Sequence, residues 1–90
     1  MPNPDQAYFV YLLECNGSRI YTGITTDVSR RMDEHRRSRR GAKFTRANPP
    51  LRLLAAIQVQ GRSEASKLEA ALKRLSRSQK LRWAAQHPAV

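Results

Sequence analysis

The run Tyr8-Phe9-Val10-Tyr11-Leu12-Leu13-Glu14-Cys15 constrains this chain more than any other stretch. It is apolar at nearly every position, with no alternation, so both of its faces need covering, and it reads as a buried central strand. Asn16-Gly17-Ser18 is a turn signal, and Ile20 to Ile24 is a second short β-type run. Together they predict a hairpin. A three-residue connection would set Cys15 opposite Arg19, Leu13 opposite Tyr21 and Tyr11 opposite Gly23. Tyr11 and Tyr21 would then share one face as diagonal neighbours. A slip of one residue would put them on opposite faces.

The rest of the chain supplies the covering layers. Residues 1 to 7 read as a short disordered lead, and 8 to 86 as a single domain. Thr26 and Asp27 give an N-cap signal for a helix running to about Arg37. Its inward stripe would be Val28, Arg31, Met32 and His35, of which two are polar. Residues 38 to 50 form a basic loop stopped by Pro49-Pro50. Leu51 to Val59 reads as a third strand, with Gln60-Gly61-Arg62 as its exit. Ser63 would cap a second helix with the stripe Ala65, Leu68, Leu72 and Leu75. Ser76 to about Gln86 reads as a third, with Leu81 and Trp83 its bulkiest apolar residues. The order β-β-α-β-α-α predicts an α/β fold of the α+β type: a small three-stranded sheet with antiparallel pairing, flanked by about three helices.

Ninety residues allow one small core. Lys and Arg number 17 against 7 Asp and Glu, a formal charge of +10. Thirteen of those cations are Arg, whose planar fork of donors suits phosphate. This balance points to nucleic acid or an anionic membrane surface. A membrane span is not expected, because no stretch approaches the roughly 20 apolar residues it needs. The first residues lack the basic and apolar regions of a signal peptide, so a cytoplasmic location is expected. The single Cys15 excludes an internal disulfide and fits a reducing compartment. With no CxxC and two His, a zinc site is not expected.

Several residues carry chemistry that packing alone does not require. Arg31 and His35, one helical turn apart, would project together toward whatever the stripe faces. A half-buried guanidinium needs an anion, and a bound phosphate would serve. Glu69 flanks the apolar stripe of the second helix; it either pairs with Lys73 at i+4 or holds Mg²⁺, which can use a single protein carboxylate. The tyrosines are ordinary strand packing unless positive charge beside them favours the phenolate over a hydroxyl with a pKa of about 10. Gly23 would let backbone or substrate approach the sheet closely.

Taken in order, Val10-Tyr11, Tyr21-Thr22-Gly23, Arg31, His35 and Glu69 resemble the motif series of the GIY-YIG nuclease superfamily, from about residue 8 to 82. Ile24 to Asp27, Gly41 to Arg46 and Lys73 to Lys80 resemble its small stand-alone bacterial branch, the YhbQ-like proteins. The resemblance implies that Tyr11 is a general base or water-positioning group and that Tyr21 helps hold the attacking water or scissile phosphate. It implies that Arg31 stabilises charge on phosphorus, that His35 assists proton transfer near neutral pH, and that Glu69 binds one divalent metal, Mg²⁺ or Mn²⁺. The first motif here is Phe9-Val10-Tyr11 instead of Gly-Ile-Tyr, and no asparagine follows Asn48 where many members have one. Lys80 is a polar residue in that region.

Arg30, Arg31, Arg36, Arg37, Arg39, Arg40, Lys43 and Arg46 cluster in one segment, and Lys73 and Lys80 belong to a second basic stretch from 62 to 82. These are the candidate phosphate contacts, read by backbone and shape instead of base edges. The expectation is therefore a metal-dependent DNA endonuclease of low sequence specificity, with a partner protein to supply a target. The alternative is a catalytically weak or inactive nucleic-acid-binding module acting in DNA repair or recombination, or on RNA. A structural or ribosome-associated basic protein is a third class.

Overall fold

A computed structural model describes residues 6–37 and 50–88 of the chain. The hairpin forms as β1 (Ala7–Cys15) and β2 (Arg19–Thr25), antiparallel, with Cys15 opposite Arg19, Leu13 opposite Tyr21 and Tyr11 opposite Gly23. The three-residue connection is thus the one adopted. It turns through Gly17 and Ser18, at φ 78° and 60°. The left-handed Ser18 is the costly one, and its carbonyl accepts a 2.7 Å hydrogen bond from Arg77 Nε.

β3 (Pro50–Gln60) lies on the other side of β1, giving an all-antiparallel sheet of order β2-β1-β3. The strand extends one residue beyond the expected Leu51–Val59 at each end. β1 is the central strand that its apolar run demanded. The β1–β3 register shifts between Leu12 and Leu13, which face Ala55 and Leu53, so Leu54 is an extra residue. This bulge changes the parity of β3: Leu54, Ala55 and Ile57 join one core and Leu53 and Ala56 the other.

Each face of β1 carries its own layer. Even-numbered Val10 and Leu12 pack with Ala55, Ala65, Leu72 and Ala84, under helices α2 (Gly61–Lys73) and α3 (Arg77–Gln86). Odd-numbered Tyr11, Leu13 and Cys15 pack with Met32 of helix α1 (Val28–Arg36). In the expected α2 stripe, Ala65 and Leu72 are buried and Leu68 and Leu75 half-buried. In α3 it is the small Ala84 that is buried, while Leu81 and Trp83 stay half-buried. The element order matches the sequence expectation throughout.

Local chemistry sets the helix starts. The Asp27 side chain accepts the Arg30 N–H at 3.0 Å and caps α1. Ser76 caps α3 through a reciprocal box: its hydroxyl accepts the Gln79 N–H at 3.2 Å, and Gln79 Oε1 accepts the Ser76 N–H at 2.8 Å. Helix α2 departs from expectation, because Ser63 is not its cap. The chain passes from β3 straight into the helix at Gly61, whose φ of 80° turns it without a loop. The Gly61 N–H is satisfied by the Gln6 carbonyl at 2.9 Å, so no side-chain cap is used. The expected basic loop from 38 lies outside the described residues up to Pro50, which opens β3.

Leu12 is fully buried in the centre of the sheet. Leu12→Ala should lower unfolding free energy by about 2–5 kcal/mol, whereas Ser76→Ala should cost about 1 kcal/mol. Urea denaturation followed by circular dichroism measures both, and the larger loss must belong to Leu12.

Candidate active site

The hairpin register sends Tyr11 and Tyr21 to the face covered by α1, with ring centroids 6.1 Å apart. Gly23, the strand partner of Tyr11, makes this possible. A Cβ at Gly23 would stand 2.5 Å from Tyr11 Oη, 2.6 Å from its Cζ and 2.8 Å from Tyr21 Cε2. The Tyr11 ring therefore lies directly over the neighbouring backbone, a position that any larger residue at 23 would take from it.

Helix α1 presents its expected stripe to the same face. Met32 and His35 are buried, and Val28 and Arg31 are half-buried. His35 is only 1% exposed, and its Nε2 lies 2.8 Å from Tyr11 Oη. Its ring meets both tyrosines edge-on, at centroid distances of 5.9 and 5.2 Å. One turn earlier, Arg31 makes electrostatic contact with both tyrosines, and its Nη1 donates to Glu34 Oε1 at 3.1 Å. Four of the five expected site residues thus meet in one cluster.

Burial governs the ionisation of this cluster. It raises the Tyr11 hydroxyl well above the ordinary tyrosine range, and the neighbouring Tyr21 adds to this; Arg31 opposes both without overcoming them. Burial, reinforced by the Arg31 charge, also lowers His35 to about 4. The His35 titration expected near neutrality is therefore displaced to acid pH. At pH 7 both partners of the 2.8 Å contact are neutral, and the tautomer of His35 decides which one donates. Arg31 behaves differently. Burial works against its charge, but hydrogen bonding to Glu34 and contact with the tyrosines more than offset this.

Glu69 approaches from the opposite layer, on α2. Its side chain is 23% exposed, and Lys73 Nζ stands 3.5 Å from Oε2, one turn along the helix. Its charge is felt at the Tyr11 hydroxyl as the weakest of the influences there. Of the two readings of Glu69, the ion pair with Lys73 is the one formed here. The described residues contain no group of three or more His, Cys, Asp or Glu suited to a metal. A single carboxylate such as Glu69 is a hard oxygen donor of the kind Mg²⁺ takes, with waters and phosphate oxygens completing its shell.

Among the candidate phosphate contacts, Arg30, Arg36, Arg37 and Lys73 are exposed and Lys80 is half-buried. Arg39, Arg40, Lys43 and Arg46 lie outside the described residues. Sequence reading missed Glu34 as the partner of Arg31. The i, i+3 spacing was available as a signal, but the segment around Glu34 is dominated by cations, so a single acid in it draws no attention.

Residues 7–82 match the GIY-YIG catalytic domain family. The chain belongs to this nuclease family. It falls in the small bacterial branch of UPF0213 proteins. It is 53% identical to a UPF0213 protein of Cupriavidus necator, over 96% of this chain and 92% of the relative. A UPF0213 protein of Xanthomonas axonopodis pv. citri is 46% identical, over 90% and 78%. The solution structure of the UPF0213 protein BH0048 from Bacillus halodurans superposes with a TM-score of 0.56 at 41% identity, covering 89% of this chain and 84% of that one. Membership of this family supports a nuclease-type function acting on nucleic acid. Among the described residues no helix is long and apolar enough to cross a membrane.

Two outcomes follow from this geometry. Gly23→Ala should push Tyr11 off β2 and break its contact with His35, costing about 1–3 kcal/mol by overpacking, with the His35 ring resonances shifted in NMR spectra. The low pKa of His35 also makes stability depend on pH. The unfolded chain takes up this proton near pH 6.5 and the folded one only near 4. Protonation thus favours unfolding, and stability should be level above about pH 7 and fall by roughly 2–3 kcal/mol between 6.5 and 4. The difference between wild type and His35→Gln in urea titrations isolates this loss from that of the carboxylates.

Proposed function

We propose that this protein is a metal-dependent endonuclease that hydrolyses phosphodiester bonds of DNA with little sequence preference. The observation that carries this reading is the convergence of Tyr11, Tyr21, Arg31 and His35 on one sheet face, with Tyr11 Oη 2.8 Å from His35 Nε2. A scissile phosphate seated against the tyrosines would meet Arg31, whose remaining N–H groups stabilise charge developing on phosphorus. Tyr11 is closed off in the free protein, so substrate must open this face before a water aligned by Tyr11 and Tyr21 attacks. Its proton passes to the Tyr11 oxygen as Tyr11 releases its own proton to His35 Nε2. Burial and Arg31 oppose charge on His35, and the phosphate's negative charge beside it compensates. Glu69 would hold Mg²⁺ or Mn²⁺, which when bound supplies positive charge for the leaving oxygen.

The chain's +10 charge supplies the attraction to a polyanion, through the exposed Arg30, Arg36, Arg37 and Lys73. Contacts of this kind grip phosphates without reading bases, so target choice would come from DNA shape or a partner protein. The raised pKa of Tyr11 and the ion pair of Lys73 with Glu69 favour a second reading: a binding module, active in repair or on RNA, in which catalysis is weak.

Incubation with supercoiled plasmid, branched DNA and single-stranded RNA, with Mg²⁺, Mn²⁺ or chelator, tests both readings. Cleavage of DNA should require metal and fall by about 10²–10³ in Arg31→Ala and Glu69→Ala, with Tyr11→Phe also impaired. Unchanged cleavage by Glu69→Ala would sink the proposed mechanism. Tight, salt-sensitive binding with no cleavage by the wild type would establish the module.

A further inference from the structure

We propose that Glu34 is a positioning residue that holds the Arg31 guanidinium over the tyrosine pair before substrate arrives, at some expense in substrate affinity. This rests on the nuclease reading and extends it to a residue outside the motif series. Arg31 Nη1 and Glu34 Oε1 are 3.1 Å apart, with side chains 22% and 25% exposed. The protein supplies its own comparison. Lys67 and Glu64 have the same i, i+3 spacing on α2, but stand 3.7 Å apart with 73% and 62% exposure. A pair of that second kind contributes little, because water screens it and two long side chains must be ordered.

The Arg31 pair differs because its cation is bound on two sides. One branch of the fork meets Glu34, while the guanidinium also contacts Tyr11 and Tyr21. A hydroxyl offers an acceptor but no counter-charge, and a half-buried guanidinium facing hydroxyls alone would swing toward solvent. Glu34 supplies the counter-charge that keeps it in place. Glu34 engages one N–H of the five, and a phosphate would compete with the tyrosines for the rest of the fork. The same carboxylate, beside a site built for phosphate, repels the substrate.

The two effects have opposite signs, which separates positioning from plain stabilisation. Glu34→Gln removes the charge but keeps an oxygen that can accept from Arg31; Glu34→Ala removes both. With wild type and Glu64→Gln alongside, duplex affinity is measured by fluorescence anisotropy in chelator and cleavage under single turnover in Mn²⁺. Glu34→Gln should bind duplex DNA as well as wild type or a few-fold tighter, yet cleave about tenfold more slowly. Glu34→Ala should be slower still, and Glu64→Gln should match wild type. Unchanged cleavage by Glu34→Ala overturns the proposal, as does a parallel loss of affinity, rate and melting temperature. If the wild type cleaves nothing, the nuclease reading fails on its own account, and NMR of the Arg31 guanidinium decides this one. Hindered rotation about its Nε–Cζ bond in wild type that is lost in Glu34→Ala supports Glu34 as the holder. The same rotation rate in both overturns it.

Discussion

Everything in this structure follows from the need to bury β1 on both faces. Val10, Tyr11 and Leu12 are all fully buried, and consecutive side chains in a strand point in opposite directions. A second strand and a third on either side satisfy its backbone, and helices on either face satisfy its side chains. The even-numbered face is aliphatic and is closed by α2 and α3. The odd-numbered face carries Tyr11 and is closed by α1. One nine-residue strand thus separates the main core from the candidate site.

That division explains why ionisation at the site runs against first expectation. A cation beside a phenol ordinarily favours phenolate, but Tyr11 has no exposure at all. Its desolvation outweighs Arg31, and the hydroxyl stays protonated. His35 is held neutral by the same burial, with Arg31 now adding to the effect. In the free protein the pair is thus a neutral hydrogen bond, well ordered and poorly charged. A phosphodiester or a metal ion here would alter both groups at once, because their titrating atoms lie only 2.8 Å apart.

The fold was legible because its cues are local and period-based. The apolar run, the Asn16-Gly17-Ser18 turn and the 3.6-residue stripe of α1 name their elements without tertiary information. Of the site, a three-residue turn put Tyr11 and Tyr21 on one face and the helix period put Arg31 and His35 on one stripe, but which sheet face that stripe covers was not legible. What escaped depends on neighbours that periodicity does not name. The bulge at Leu54 changes the parity of β3 with no Gly or Pro to mark it. The start of α2 at Gly61 depends on a carbonyl from Gln6, far away in sequence. The ionisation of His35 depends on how completely three elements enclose it. Glu34 escaped for another reason: in a basic segment an acid reads as incidental until the structure shows which cation it touches.

Glu69 presents the sharpest consequence of the two-faced design. It belongs to the aliphatic side through α2, yet its charge is felt at Tyr11 on the other side. A carboxylate in the tyrosine layer itself would sit beside Arg31 and Glu34 and compete for the same cation. Carried on the opposite layer, it pairs with Lys73 instead and leaves the Arg31 fork to Glu34 and phosphate. Lys73 thereby acquires a double character, as a candidate phosphate contact and as the present occupant of the Glu69 carboxylate. A divalent ion at Glu69 would displace the ammonium, since the dication interacts more strongly with one carboxylate than a mobile, exposed monocation does. The freed lysine would then stand beside the incoming backbone. Under the proposed function, metal loading and phosphate binding would be coupled by this exchange, with charge moving between groups already on the helix.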